Sequence, residues 1–344
     1  MPTVRQIAEQ AGVSISTVSL VLNNKPGVSD EMRRVVIDAR DALQQQEKRR
    51  TTSEMARVDV GRTNTSFPMS IVVLHPPVLE SSHVFREVLR GIQTAAQAYN
   101  LQLRLVSNAP NATEHHVSHL YFTDPSLRPD GVIVFGAQRH EPLLNMLFEQ
   151  GIPGVVLGRK PDNYDISGIG RDEERHAYEA TRYLTKLGHR AIAFIGGEQV
   201  YDYWHTRMGG YTQALHDASI NISSDWIQPG DCEVATRRVL KSVPEVTALI
   251  YVNDACAAEG LPVLAAAGKR IPEDASVISF DDTHIAQSYD PPITSISYRR
   301  FEEGEWAIKM LIDQIQYPYL KRVQAIFDAD FIVRKSCAPP PARD

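Results

Sequence analysis

The sequence predicts a small all-α head followed by a large α/β body, and three observations carry that reading. Residues 4–22 show two short apolar stripes at helical spacing with Gly12 between them. Residues 44–69 (QQQEKRRTTSEMARVDVGRTNTSFPM) are polar and short of large apolar groups, a linker by composition. From residue 70 onward, short apolar runs alternate with helical stretches, the pattern of parallel sheets wound on both faces.

Taken in order, Val4, Ile7, Ala8 and Ala11 fall on one face of a first helix. Gly12 supplies the tight turn, and Ser14 can cap a second helix whose buried face is Val18, Val21 and Leu22. Ile15, Ser16, Thr17, Ser19 and Leu20 then face outward, mostly short side chains that let the helix approach another surface closely. This is a helix-turn-helix, with its second helix shaped for a DNA major groove. A third helix should start after Ser29 and run to about Leu43, with Met32, Val36, Ala39 and Leu43 inward. In the body the apolar runs are 70–75, 101–106, 131–136, 154–158, 191–195, 248–252 and 276–281. Helical stretches lie between them, at 84–99, 141–150, 173–188, 207–218 and 254–267.

Bulk properties narrow the classes. A length of 344 residues suits two or three domains, and 43% hydrophobic with 23% charged residues is a globular profile. No apolar run approaches the roughly 18 residues of a membrane span, so no membrane partner is expected. Glu9 and the lack of a long apolar segment argue against a secretory leader, which points to the cytoplasm. Cys232, Cys256 and Cys337 lie far apart without a C-x-x-C, which argues against a disulfide framework or zinc ribbon. Residues 1–62 hold 10 of the 36 Lys and Arg but only 8 of the 42 Asp and Glu. The head is therefore mildly cationic and the body acidic, as expected when phosphates are met at one end only.

The run from Val4 to Asn23, continuing to Val28-Ser29, resembles the head piece of the lactose-repressor (LacI/GalR) family of bacterial transcription regulators. The resemblance covers nearly the whole chain. It implies a body like the periplasmic sugar-binding proteins, with two doubly wound parallel sheets, in two lobes. The domains are then a head at 1–45, a linker or hinge helix at 46–69, an effector-binding and dimerisation domain at 70–337, and a tail at 338–344. Lobe one takes about 70–170 and 297–327, and lobe two about 171–296 and 328–337.

In that family the positions of Ile15, Ser16 and Leu20 read base edges, while Thr17, Ser19 and Asn23 resemble phosphate contacts. Ser14, at the second helix start, and Ser29, at the third, complete the DNA-facing set. Leu20 replaces a frequent polar or basic reader; it can pack on a thymine methyl or serve as a fourth core residue. The linker departs from the family, because its Tyr-x-Pro-Asn is absent. Met55-Ala56-Arg57-Val58 still echoes the hinge helix that wedges into a minor groove, with Arg57 the candidate insertion. A basic tether is the alternative.

Within the body, Arg207-Met208-Gly209-Gly210-Tyr211 resembles the family's Arg-x-x-Gly-Tyr/Phe segment, whose arginine grips effector hydroxyls or carboxylates. Asn253-Asp254 and Phe280-Asp281-Asp282 resemble its strand-end motifs, implying ligand contact for Asn253 and Asp281 and capping or packing for Asp254 and Asp282. Ser82, Phe85 and Arg159 sit at further cleft positions. Cys232 stands where an aromatic ring stacks in relatives, and Tyr203 and Trp204 are the candidate replacements for that ring. His115-His116-x-x-His119 has zinc-like spacing without a matching ligand cluster, and Gly196-Gly197 lacks any complete phosphate-loop motif. No nucleophile elbow is present, so an enzyme is not expected, and no cofactor is implied. CAPPPARD cannot form a heptad coil, unlike the extra tetramerising helix of some family members, so the resemblance leads us to expect a homodimer. The function implied is a sequence-specific regulator, a repressor whose affinity for double-stranded operator DNA is set by a small molecule, expected to be a sugar. The alternative is a cytoplasmic sugar receptor with a head of reduced function; only a DNA reader should lose duplex affinity as salt rises.

Overall fold

The computed structural model describes residues 4–22, 28–29, 32–37, 39, 68–76, 82–107, 121, 124–137, 142–158, 166–318 and 322–342. The chain falls into two compact units, Met1–Phe67 and Pro68–Asp344.

In the first unit, α1 (Val4–Ala11) and α2 (Ile15–Leu22) flank the turn at Gly12, whose φ of 65° is a conformation glycine adopts without steric cost. Ile7, Ala8, Val18, Val21 and Val36 form one buried cluster, so α3 (32–37) packs on the first two helices. Two expected core members are surface residues instead. Leu22 closes α2 and is 40% exposed, and Met32, in the opening turn after Ser29, is 38% exposed. A side chain in a terminal helical turn has no neighbouring turn to cover it. Leu43 lies outside the described residues.

The second unit holds two sheets, each six-stranded among the described residues. The first orders its strands β11-β5-β4-β3-β1-β2 and is parallel throughout. Its members are β1 (Ser70–His75), β2 (Gln102–Ser107), β3 (Gly131–Phe135), β4 (Gly154–Leu157), β5 (Ser167–Arg171) and β11 (Gln324–Phe327). The second orders β12-β10-β9-β8-β6-β7, and only β10–β12 is antiparallel. It comprises β6 (Ile192–Ile195), β7 (Ile227–Gln228), β8 (Ala248–Tyr251), β9 (Ser276–Phe280), β10 (Thr294–Tyr298) and β12 (Ala329–Ile332). Each sheet changes winding direction once, between β1 and β3 and between β6 and β8. Ligands of open α/β sheets sit outside the carboxyl ends of strands at such points.

Helices α4 (His83–Ala98) and α11 (Arg300–Gln316) cover one face of the first sheet, and α5 (Pro142–Glu149) covers the other. On the second sheet lie α6 (Glu173–Leu187), α7 (Asp202–Asp217), α8 (Cys232–Ser242), α9 (Asp254–Ala266) and the short α10 (His284–Ser288). The chain crosses from one sheet layer to the other three times, at 171–173, 298–300 and 327–329. Strands β5, β7, β10 and β11 and helices α8, α10 and α11 fall outside the runs read from the sequence, and α7 begins five residues before Arg207.

Two helix pairs pack closely enough to exclude a side chain. A Cβ on Gly210 of α7 would collide with the Glu174 carbonyl of α6, and one on Gly304 of α11 with the Val88 carbonyl of α4. Tyr211 fills the lobe-two core and donates to the Ile192 carbonyl at 2.7 Å. Gly210 and Tyr211 of the Arg-x-x-Gly-Tyr segment are therefore packing residues.

Candidate functional site

On the head, the Ser14 hydroxyl accepts from the Thr17 amide at 3.1 Å and meets the Thr17 hydroxyl at 2.8 Å. This is an N-cap: it satisfies an amide that the first helical turn leaves without a partner and fixes the start of α2. The Ser29 hydroxyl does the same for α3, accepting from Met32 at 3.3 Å. Ile15, Ser16 and Ser19 lie on α2. Leu20 is half-buried and outside the core cluster, so it does not act as a fourth core residue. Asn23 and Arg57 lie outside the described residues, and with them the question of a hinge helix.

In the body, six charged side chains far apart in sequence come together: Arg171 and Glu173 at the first crossing, Arg300 and Glu303 just after the second, Arg207 from α7 and Asp281 from the end of β9. Glu303 accepts from Arg171 through both carboxylate oxygens, at 2.6 and 2.5 Å. Arg171 meets Glu173 at 3.5 Å, and Glu173 accepts from Arg207 Nε at 2.7 Å. Arg207 Nη2 stands 4.0 Å from Asp281, which accepts from Arg300 at 2.5 Å. Arg300 returns to Glu303 at 3.8 Å. The six form a closed ring of alternating sign, with side chains between 1% and 11% exposed. Tyr298 sits among them, its ring 5.2, 5.7 and 4.5 Å from the guanidinium carbons of Arg171, Arg207 and Arg300. Its hydroxyl donates to Glu173 at 2.6 Å.

Buried charges persist only when paired and hydrogen-bonded, and here each has an opposite neighbour on both sides. Burial opposes ionisation of Glu173, yet the Arg207 and Arg171 guanidinium groups hold its carboxyl down at about 2. Burial pushes the Tyr203 hydroxyl up to about 12.

Arg207 is thus more committed than its motif suggested. It is 3% exposed, donates to Glu173 and to the Val252 carbonyl, and lies 4.3 Å over the Phe280 ring. Asp281 has a φ of 97° and Asp282 a φ of 50°, left-handed backbone that is uncommon for residues with a side chain. Asp254 holds this turn from beneath, accepting from the hydroxyls of Ser279, Ser295 and Thr283 and from the Thr283 amide. Asp282 pairs with Arg334 at 2.6 Å. Asp254 and Asp282 accordingly have packing roles, as the sequence implied. The helix cap at this point belongs to Asn253, whose side-chain oxygen accepts from the Cys256 amide at 2.8 Å.

Burial, and then the nearby charge of Asp281, raise the Asp254 carboxyl from 3.8 to about 6. A carboxyl raised on folding contributes stability that is full below its unfolded value and is lost as pH rises through about 6. The stability advantage of the wild type over Asp254→Asn should therefore be largest near pH 4. It should shrink by roughly 3 kcal/mol by pH 7, as read by urea unfolding across that range. Parallel pH curves for the two proteins would show that Asp254 does not titrate there.

The other expected cleft residues divide. Phe85 is 4% exposed and packs its ring 4.5 Å from His75 and 5.5 Å from Phe135, inside lobe one. Ser82 precedes α4 without a side-chain cap bond. Trp204 turns into the core and donates to the Gly196 carbonyl at 3.0 Å, whereas Tyr203 is half-buried and lies 5.3 Å from the Arg207 guanidinium. Of the two proposed replacement rings, Tyr203 is the one beside the charge ring. His83 and His284, from opposite lobes, have ring centroids 5.5 Å apart. Arg159 and the three histidines at 115, 116 and 119 lie outside the described residues; among the described ones, no three His, Cys, Asp or Glu cluster as metal ligands.

Cys232 requires a correction. It is bonded to Cys256 in a disulfide, although wide spacing argued against one. Separation along the chain misled here: α8 and α9 follow β7 and β8, and their first turns meet beside the Gly196 loop. A Cβ on Gly196 would strike both sulfurs. Cys232 is 9% exposed and lies in the lobe-two core cluster, so it offers the cleft no free thiol.

Comparison with known proteins agrees with these two units. Residues 3–44 match the model of the bacterial regulatory proteins of the lacI family, and residues 181–337 match the periplasmic binding protein-like domain. The chain belongs to the lacI family: it is a DNA-binding transcription regulator and not an enzyme. Among its relatives, the HTH-type transcriptional repressor PurR of Mannheimia succiniciproducens is 28% identical over 344 residues, covering 98% of each chain. The HTH-type transcriptional regulator CelR of Thermobifida fusca is 29% identical, covering 97% of this chain and 98% of its own. A solved CelR–cellobiose complex superposes with a TM-score of 0.72 at 27% identity, covering 98% of this chain and 100% of that one. A LacI-family regulator from Enterococcus faecium with bound ribose gives 0.68 at 27% identity, covering 78% of this chain and 99% of that one. Among the described residues, no helix is long and apolar enough to cross a membrane.

Proposed function

We propose that this regulator is a cytoplasmic homodimeric repressor whose operator affinity is lowered when a sugar binds between the lobes of its body. The observation that carries the reading is the 4.0 Å gap between Arg207 Nη2 and Asp281. A sugar hydroxyl placed there accepts from the guanidinium and donates to the carboxylate, which neither group achieves with the other at that distance. Asn253, at the carboxyl end of β8 beside the switch point, and the Tyr203 ring extend the same surface. The bound cellobiose and ribose of two structural relatives support a sugar as the class.

The lobes are joined at three crossings, the arrangement of a hinge, so a ligand that bridges them shifts their closure. Two copies reading a pseudo-palindrome would convert that shift into a changed spacing of heads. The test begins with selection of duplexes from a random pool by the full-length protein. Fluorescence anisotropy on the recovered duplex, with cellobiose, ribose and other sugars titrated in, then reads the coupling. Recovery of a two-fold symmetric site whose affinity drops on sugar addition is the expected result. Constant operator affinity while a sugar saturates the cleft would remove the coupling.

A further inference from the structure

The charge ring has a consequence for which ligands the cleft admits. Three guanidinium groups at the base of a binding cleft would ordinarily mark an anion site, because arginine's planar fork suits phosphate and carboxylate. Here the chain's own carboxylates already occupy those forks. Glu303 takes Arg171 through two oxygens, Glu173 takes the Nε edge of Arg207, and Asp281 takes Arg300. The ring holds three positive and three negative groups, all nearly buried, and sums to zero charge.

We infer that this neutral ring makes the cleft selective for an uncharged hydroxylated ligand against its anionic counterpart, with Glu173 as the specificity-determining residue. The inference rests on the reading that the effector sits at Arg207 and Asp281. At that gap a hydroxyl can both donate and accept. A phosphate or carboxylate oxygen only accepts, so it leaves Asp281 facing it without a proton between them, and like charges at that range repel. Glu173 is the residue that removes anion capacity from Arg207: it neutralises the guanidinium through Nε, while Asp281 faces Nη2.

Inorganic sulfate is the probe, because it reports on an unpaired guanidinium without requiring the natural effector. Calorimetric titration of the full-length protein, at ionic strength held constant with chloride, should show no saturable sulfate site in the body of the wild type. Glu173→Gln keeps the shape and leaves the ring with one excess positive charge; it should acquire a saturable sulfate site, at least about tenfold tighter than the limit set by the wild-type titration. The double variant Glu173→Gln/Arg207→Met, which removes both partners of one buried pair, should lose that gain and so locate it. Glu303→Gln makes the same change in net charge elsewhere in the ring and serves if Glu173→Gln does not fold.

Sulfate bound by the wild type and released by the double variant would overturn the inference. So would folded glutamine variants that gain no sulfate affinity. If no sugar binds but sulfate discriminates wild type from Glu173→Gln as described, the neutral site stands and only the sugar reading falls.

Discussion

Arg207→Ala is expected to lower the stability of the body by about 3–5 kcal/mol, the usual cost of removing one partner from a buried ion pair. The substitution leaves Glu173 buried with the more distant Arg171 and the Tyr298 hydroxyl as its remaining partners, and it frees the Val252 carbonyl. A carboxyl held at about 2 by the guanidinium groups loses the larger of those two influences. Differential scanning calorimetry should show the body's transition falling by at least about 6 °C. Sugar response should vanish as well, so loss of response alone does not establish ligand contact. Comparison with Glu173→Gln/Arg207→Met separates the two effects: it frees the same Val252 carbonyl but leaves no unpaired Glu173 charge, so less stability should be lost than in Arg207→Ala while the response still disappears. An Arg207→Ala protein with an unchanged transition would mean the ring adds nothing to the fold.

Alanine at Gly210 or Gly304 is expected to destabilise by about 3 kcal/mol, although both residues lie inside helices. The sign makes this informative. On helix propensity alone, replacing an interior glycine with alanine stabilises by about 1 kcal/mol. Here the new methyl would strike a backbone carbonyl of the crossing helix, Glu174 in one case and Val88 in the other, and backbone cannot rotate aside as a side chain does. Each substitution must separate two helices that cover a sheet. Denaturant unfolding measures the outcome, and a gain in stability at either position would show that the crossing is looser than the atomic positions indicate.

The periodic parts of this fold were legible in the sequence. Runs such as IVVLH and ALIYV are buried strands because only a sheet covered on both faces needs uninterrupted apolar residues. SGIGR carries no such signal, yet it forms β5, where four of its five residues are buried. Small residues suit that crowded place but leave no hydrophobic trace. The site was half legible. Arg207 and Asp281 stood out through motifs, but their partners Glu173, Arg300 and Glu303 sit just beyond points where the chain crosses between layers. Nothing local in DEER or YRRFEEG marks them, since their meaning comes from segments some 130 residues apart. Asn253 and Asp254 show the same limit: adjacent polar residues took different tasks because one caps a helix and the other faces a core.

The three crossings also fix an order of assembly. A chain emerging from the ribosome through residue 299 has supplied every strand of lobe two but β12. Lobe one, begun first, still lacks α11, whose Ala307, Ile308 and Leu311 complete its inner layer, and it lacks the edge strand β11. Its sheet therefore waits, with the α4 side of its core uncovered, until the last seventh of the protein is made. The lobe that starts synthesis is the later one to close, and its exposed apolar face is where a growing chain is most open to misassembly or chaperone capture.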